Sequence, residues 1–166
     1  MRLTLEHTLR ATVQQFWKHI FEDESFNREL YLQELGYGYE LIEWSEETGE
    51  RVAKVVPNTE VPRPVAAVLG GRISFTEHGT YDRAGGVYTF EVIPSTLSER
   101  IRTKGTVRAE PSGKDQCIRT VELEITARFP GVGKLVERFL MSTTRDQYDQ
   151  NARFANQYLD RVLGRG

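Results

Sequence analysis

Residues 131–163 constrain the fold more than any other part of the chain. They read as one long amphipathic helix, and from about Ile73 onward everything before it reads as strands. A helix over 132–163 spans ~48 Å at 1.5 Å per residue, too long for a connector. A single long helix after a run of antiparallel strands implies a helix laid across a curved sheet. Its apolar stripe runs through Val132, Leu135, Val136, Phe139 and Leu140, then resumes at Phe154, Ala155, Tyr158 and Val162. Between these, Thr143, Gln147 and Asn151 take the corresponding positions, with Tyr148 nearby. A helix packed along its whole length keeps its stripe. One that loses it in the middle fits over a cavity. Arg145, Asp149 and Arg153 are spaced for i,i+4 ion pairs, each worth a few tenths of a kcal/mol.

At the other end of the chain, Leu3, Leu5, His7 and Leu9 alternate with polar residues, the period of a strand with one face toward a core. His7 lies on the apolar side. It is either a core-edge histidine bonded to backbone or water, or a polar group inside a pocket. Thr12-Val13-Gln14-Gln15 is a capping box and predicts a short helix over 13–21. Asp23-Glu24-Ser25 breaks it and starts a second over 26–35, with Gly36 as the C-terminal cap. Six strands follow, over 37–45, 51–56, 73–81, 87–93, 98–110 and 117–129. In the fifth of these, Arg100, Arg102, Lys104 and Arg108 share a face, as do Glu122 and Glu124 in the sixth. Cross-strand ion pairing on a solvated surface is the expectation. The opposite faces carry Ile101, Thr103, Gly105 and Val107, and Val121, Leu123, Ile125 and Ala127. The stretch 57–71 differs in kind. Pro57, Pro62 and Pro64 precede the apolar run Val65-Ala66-Ala67-Val68-Leu69 and then Gly70-Gly71. It reads as a loop with a short helical turn, either a lid over a binding site or a crossover closing the sheet.

The 166 residues are most simply one domain, and 39% hydrophobic with 28% charged residues fits a soluble globular protein. A formal net charge of -2 without a basic run gives no reason to expect nucleic acid. One cysteine, Cys117, precludes an intramolecular disulfide and any multi-cysteine metal site. No signal-peptide core or membrane-length apolar run occurs, so the expected location is cytoplasmic, with no integral membrane segment. No phosphate-binding glycine loop, Gly-x-Ser-x-Gly elbow or zinc spacing is present, and neither cofactor nor metal is expected. Candidate acid and base groups stand singly: His7, His78, Glu77 and Tyr148.

The order of strand, two short helices, six strands and long C-terminal helix resembles the START-like superfamily, also called SRPBCC, birch-pollen-allergen-like or helix-grip. The likeness covers essentially the whole chain. More narrowly it is similar to a bacterial branch with no assigned activity. That closer likeness is carried by Pro62-Arg63-Pro64 leading to Leu69-Gly70-Gly71, by Ile73-Ser74-Phe75-Thr76-Glu77, and by Phe129-Pro130-Gly131-Val132-Gly133-Lys134-Leu135-Val136-Glu137. The resemblance implies an α+β fold in which a seven-stranded antiparallel sheet grips the last helix around a hydrophobic cavity. Members bind lipids, sterols, polyketides or hormones, and some are cyclases or hydrolases. Fold alone does not choose among these.

On that basis the expected ligand is a small hydrophobic molecule, and binding is favoured over catalysis. The sheet would offer Tyr39, Leu41, Phe75, Phe90, Ile101, Leu123 and Ile125. The helix would offer Phe139, Thr143, Gln147 and Tyr148, with His7 as a further polar group. The alternatives are a cyclase or hydrolase of the same fold, or an interaction module using Val65 to Leu69 as an exposed apolar contact.

Overall fold

The computed structural model describes residues 1–165. Its seven strands are β1 (Arg2–Leu9), β2 (Gly38–Trp44), β3 (Glu50–Val56), β4 (Phe75–Asp82), β5 (Val87–Pro94), β6 (Ile101–Pro111) and β7 (Cys117–Ala127). They form one curved antiparallel sheet in the order β1-β7-β6-β5-β4-β3-β2. Strands β2 to β7 follow one another as a meander, and β1 pairs with the last of them. The register Leu3↔Leu123, Leu5↔Val121 and Leu9↔Cys117 sets buried residues opposite buried residues. A slip of one position would turn all of them outward, so the apolar pattern pins this pairing.

Between β1 and β2 lie the two expected short helices, each ending more loosely than the pattern suggests. The first, α1 (Val13–Phe16), has the expected capping box, with the Thr12 hydroxyl accepting from Gln15 N and Gln15 accepting from Thr12 N. It then widens into a π-helical turn, Trp17–Glu22, closed by the i→i+5 bond from Asp23 N to Lys18 O. Asp23 caps α2 (Glu24–Arg28) through Ser25 N, so the second helix starts two residues earlier than expected. It too widens, over Glu29–Glu34. Such turns concentrate at functional sites. Here they bring Ile20, Phe21 and Tyr31 to the inner face of the sheet.

The long helix α4 (Gly133–Val162) is anchored at both ends, in two separate clusters. Toward its C-terminus Ala152, Ala155, Tyr158 and Leu159 are buried with Leu5, Leu9, Phe26 and Leu30. The Tyr158 hydroxyl also donates to Asp23, tying this end to the α2 cap. Near its N-terminus Val136 is buried with Ile101, Ala127 and Phe129. That smaller cluster includes Val65 and Leu69 of α3 (Arg63–Leu69), the helical turn of the 57–71 stretch. Both are turned inward, 1% and 5% exposed, so they offer no exposed apolar contact for a partner. The stripe read from sequence is trimmed at two positions, because Leu135 and Val162 face outward.

The charged faces of β6 and β7 are exposed as expected, but the ion pairs reach to other strands. Arg102 meets Glu91 on β5 at 3.2 Å, and Arg2 on β1 meets Glu124 at 3.3 Å. Inside, two glycines make room for aromatic rings. A methyl group at Gly105 would lie 2.4 Å from the Phe90 ring, and one at Gly79 would lie 2.2 Å from the Tyr88 ring.

Leu159→Ala should cost about 2–5 kcal/mol, as large-to-small changes at fully buried sites do. Leu135→Ala, on the exposed side of the same helix, should stay within about 0.5 kcal/mol. Urea unfolding at unchanged m-value distinguishes the two. Gly105→Ala should destabilise by about 1–3 kcal/mol through overpacking against Phe90 and Leu123, and near-ultraviolet circular dichroism should register the displaced ring.

Candidate functional site

Between the inner face of the sheet, the two short helices and the middle of α4 lies a cavity of about 220 Å³, partly open to solvent. Alternation along each strand decides what enters its wall. The strand residues that line it share the alternate, inward phase: Arg51 and Val55 from β3, Phe75 and Glu77 from β4, Tyr88, Phe90 and Val92 from β5. Thr103 and Val107 follow from β6, with Gly105 between them, and Arg119, Leu123 and Ile125 from β7. Phe16, Ile20, Phe21, Phe26 and Tyr31 close one side. The roof is α4, with Leu140, Thr143, Thr144, Gln147, Tyr148 and Asn151. The polar interruption of the helix stripe therefore faces the cavity.

Seven of the residues singled out from sequence line this space: Phe75, Phe90, Leu123, Ile125, Thr143, Gln147 and Tyr148. Five lie outside it. Ile101 and Phe139 belong to the smaller core cluster at the N-terminal end of α4. Leu41, half-buried opposite Ala53, lies beyond the wall. Tyr39 stands behind Tyr31, the rings stacked at 4.8 Å and 7°. His7 stands behind Arg119. Lining residues absent from the sequence-based set include Arg51 and Arg119 and the helical aromatics Phe16, Phe21, Phe26 and Tyr31. Both arginines fall in phase with buried apolar neighbours, Arg51 with Ala53 and Arg119 with Cys117 and Val121. A charge on the apolar phase of a strand is the signal that could have found them.

The two arginines are 7% and 3% exposed, and their surroundings differ. Arg51 is compensated. It pairs with Glu77 at 3.3 Å and Glu24 at 3.8 Å and donates to the Tyr39 hydroxyl at 2.6 Å. The Tyr39 hydroxyl donates in turn to Glu24, and Tyr88 donates to Glu77 at 2.8 Å. Burial pulls the Arg51 guanidinium down, but Glu77, with Tyr39, Tyr88 and Glu24, carries it above its usual value. Among the described residues Arg119 has only neutral acceptors: Asn151 Oδ1 at 2.6 Å, His7 Nδ1 at 3.1 Å and the Tyr148 carbonyl at 3.3 Å. Its charge also stands 5.5 Å over the Tyr148 ring. Burial pushes it down to about 10, so it stays protonated at neutral pH.

These contacts set the histidine tautomer. A guanidinium can only donate, so His7 Nδ1 accepts, and Nε2–H donates to Asp149 at 2.8 Å. Asp149 thus turns inward to the sheet, not along the helix to Arg145 or Arg153. Burial lowers the His7 pKa, the Asp149 hydrogen bond opposes that, and the Arg119 charge lowers it further, for a net decrease. Burial also raises Tyr31 and Tyr148 above the ordinary tyrosine range, keeping both as hydrogen-bond donors. It pushes the Cys117 thiol up to about 11, an unreactive protonated group. Among the described residues no group of three His, Cys, Asp or Glu is placed to hold a metal ion, and no helix is long and apolar enough to cross a membrane. What this site can do is enclose an apolar body and orient it with a few polar groups.

Because the folded state disfavours protonated His7, the unfolded chain binds the extra proton as pH falls below about 6.5. The contribution of His7 is therefore fully present above that pH and declines as pH drops toward the lowered folded value. His7→Gln, which can still accept from Arg119 and donate to Asp149, should flatten the fall in urea midpoint between pH 7.5 and 5.5.

A family model described as "Protein of unknown function (DUF2505)" matches residues 4–159. Comparison with curated proteins gives no match. Among solved structures, an aromatase/cyclase (Zhui) from Streptomyces is similar with a TM-score of 0.72 and 11% identity, over 98% of this chain and 95% of that one. A protein from Thermus thermophilus is similar with a TM-score of 0.70 and 14% identity, over 98% and 99%. A START superfamily protein from Mycobacterium smegmatis is similar with a TM-score of 0.63 and 11% identity, over 97% and 98%. The likenesses establish the START-like fold and carry no activity with them.

Proposed function

Since this chain belongs to the DUF2505 family and has a START-like fold, we propose that it binds or carries a small, predominantly hydrophobic molecule between the sheet and α4. One observation carries the reading. The middle of α4 presents Thr143, Thr144, Gln147, Tyr148 and Asn151 to a cavity of about 220 Å³ with aromatic walls, where packing alone would favour apolar side chains. The volume exceeds the ~150 Å³ apolar cavity that accommodates benzene. A lipid-, sterol- or polyketide-like molecule, or a part of one, fits that chemistry.

A second reading is a small-molecule enzyme of the same fold. Glu77 favours it, as a carboxylate in the cavity wall beside the Tyr88 hydroxyl, and one structural neighbour is an aromatase/cyclase. Glu77 is, however, already engaged by Arg51 and Tyr88, which leaves binding the better-supported function. Turnover of a bound compound, lost on Glu77→Gln, would establish the enzymatic reading.

Native mass spectrometry of protein purified from its own host should show a bound small molecule, and a fluorescent fatty-acid or sterol probe should be displaced by it. Thr143→Trp, which fills the roof of the cavity, should remove most probe binding while leaving the unfolding transition cooperative. Absence of both bound molecule and probe binding would count decisively against a ligand-holding role.

A further inference from the structure

We propose that the molecule held in the cavity is an organic anion, an apolar body bearing one carboxylate-like group, and that Arg119 receives that group. The inference rests on the ligand-holding reading above and names the class of ligand. Its basis is the donor inventory of Arg119. A guanidinium has five N–H donors. Three are engaged, and every acceptor is uncharged: a side-chain amide, an imidazole nitrogen and a backbone carbonyl. Among the described residues the Nε–H has no partner. The residue is 3% exposed, so bulk water does not compensate the charge.

Arg51 provides the internal comparison. In the same cavity wall and almost equally buried, it is met by two carboxylates. The fold thus supplies counter-charges to one of its buried arginines and leaves the other with neutral neighbours. The carboxylate closest in the network, Asp149, is held at His7 Nε2, on the far side of the imidazole ring from Arg119. Since His7 Nδ1 must accept from Arg119, the imidazole is neutral, and the Asp149 charge acts on the guanidinium only from a distance, without a direct hydrogen bond. Among the lining residues two guanidinium groups stand against one carboxylate, Glu77. A buried cation left uncompensated is costly, and an anionic ligand group removes that cost on binding.

The position suits such a group. Asn151 and Tyr148, which contact the guanidinium, are themselves cavity-lining residues of α4. Aromatic walls opposite them, including Phe90 and Phe16, suit the apolar body. The volume of about 220 Å³ fits one to two rings or a short chain.

Matched pairs differing only in charge test the inference: 2-naphthoate against 2-naphthamide, and octanoate against octanamide, titrated by calorimetry at neutral pH. At least one acid should bind roughly 10- to 100-fold more tightly than its amide, the range of a charge-assisted hydrogen bond in a site shielded from water. Arg119→Met should bring the two affinities together. If that variant does not fold, the Arg119 Nε–H resonance of the unaltered protein serves instead, and it should move with the acid and not with the amide. Equal affinity for acid and amide, or a preference that survives Arg119→Met, overturns the anion inference and leaves the ligand-holding reading intact. Failure of all four compounds to bind counts against both.

Discussion

Burial of apolar surface at the two ends of α4 is the interaction on which the rest of the structure depends. Leu159 and Val136 are both fully buried, and they belong to different clusters. Burying side chains of that size contributes roughly 1.5–3 kcal/mol each. With both ends held, the intervening turns cross the inner face of the sheet. The 30 residues of α4 form one continuous helix, held by a cluster at each end, and the cavity lies beneath its middle. Thr143, Gln147 and Asn151 are tolerated there because packing does not require apolar groups at that level.

The sheet contributes the second constraint, a two-residue period that admits whatever occupies the inward phase. At most inward positions that is Phe, Tyr, Val, Leu or Ile. At Arg51, Glu77 and Arg119 it is a charge, and each is drawn into the wall by the pleat. Arg51 and Glu77 answer one another across the paired strands β3 and β4. The groups bonded directly to Arg119 are neutral, and beyond them a chain runs from the guanidinium through His7 to Asp149. That chain joins β1, β7 and α4 at one point.

The fold was legible to a high degree because it is written in local periods. Alternation gave the strands within a few residues of their observed bounds, and the Thr12–Gln15 capping box gave the start of the first helix. The π-helical turns were not legible, since they arise where bulky residues such as Trp17 and Tyr31 are accommodated against the sheet. The candidate site was legible in part. Phe75, Phe90, Leu123 and Ile125 line the cavity because they share the inward face. Ile101, Leu41 and Phe139 were grouped with them although they pack elsewhere. Period tells which face a residue occupies and says nothing of its height along the sheet. Arg119 is a different case: it stands near the solvated charges of β6 and β7 but shares the phase of buried Cys117 and Val121.

Composition, capping and hydrophobic periodicity were therefore enough to establish element types, their order and the interrupted stripe of the last helix. These are properties of near neighbours in the chain, and steric and hydrogen-bonding preferences within a few residues decide them. Only the tertiary structure decided which groups meet. Asp149 had partners at helical spacing in Arg145 and Arg153, yet its carboxylate goes to His7, 142 positions away in sequence. Arg119 reaches both His7 and Asn151 only because the first strand pairs with the last and the long helix crosses both. Such meetings depend on which strands pair and on the position at which the helix is held, and no local preference encodes either.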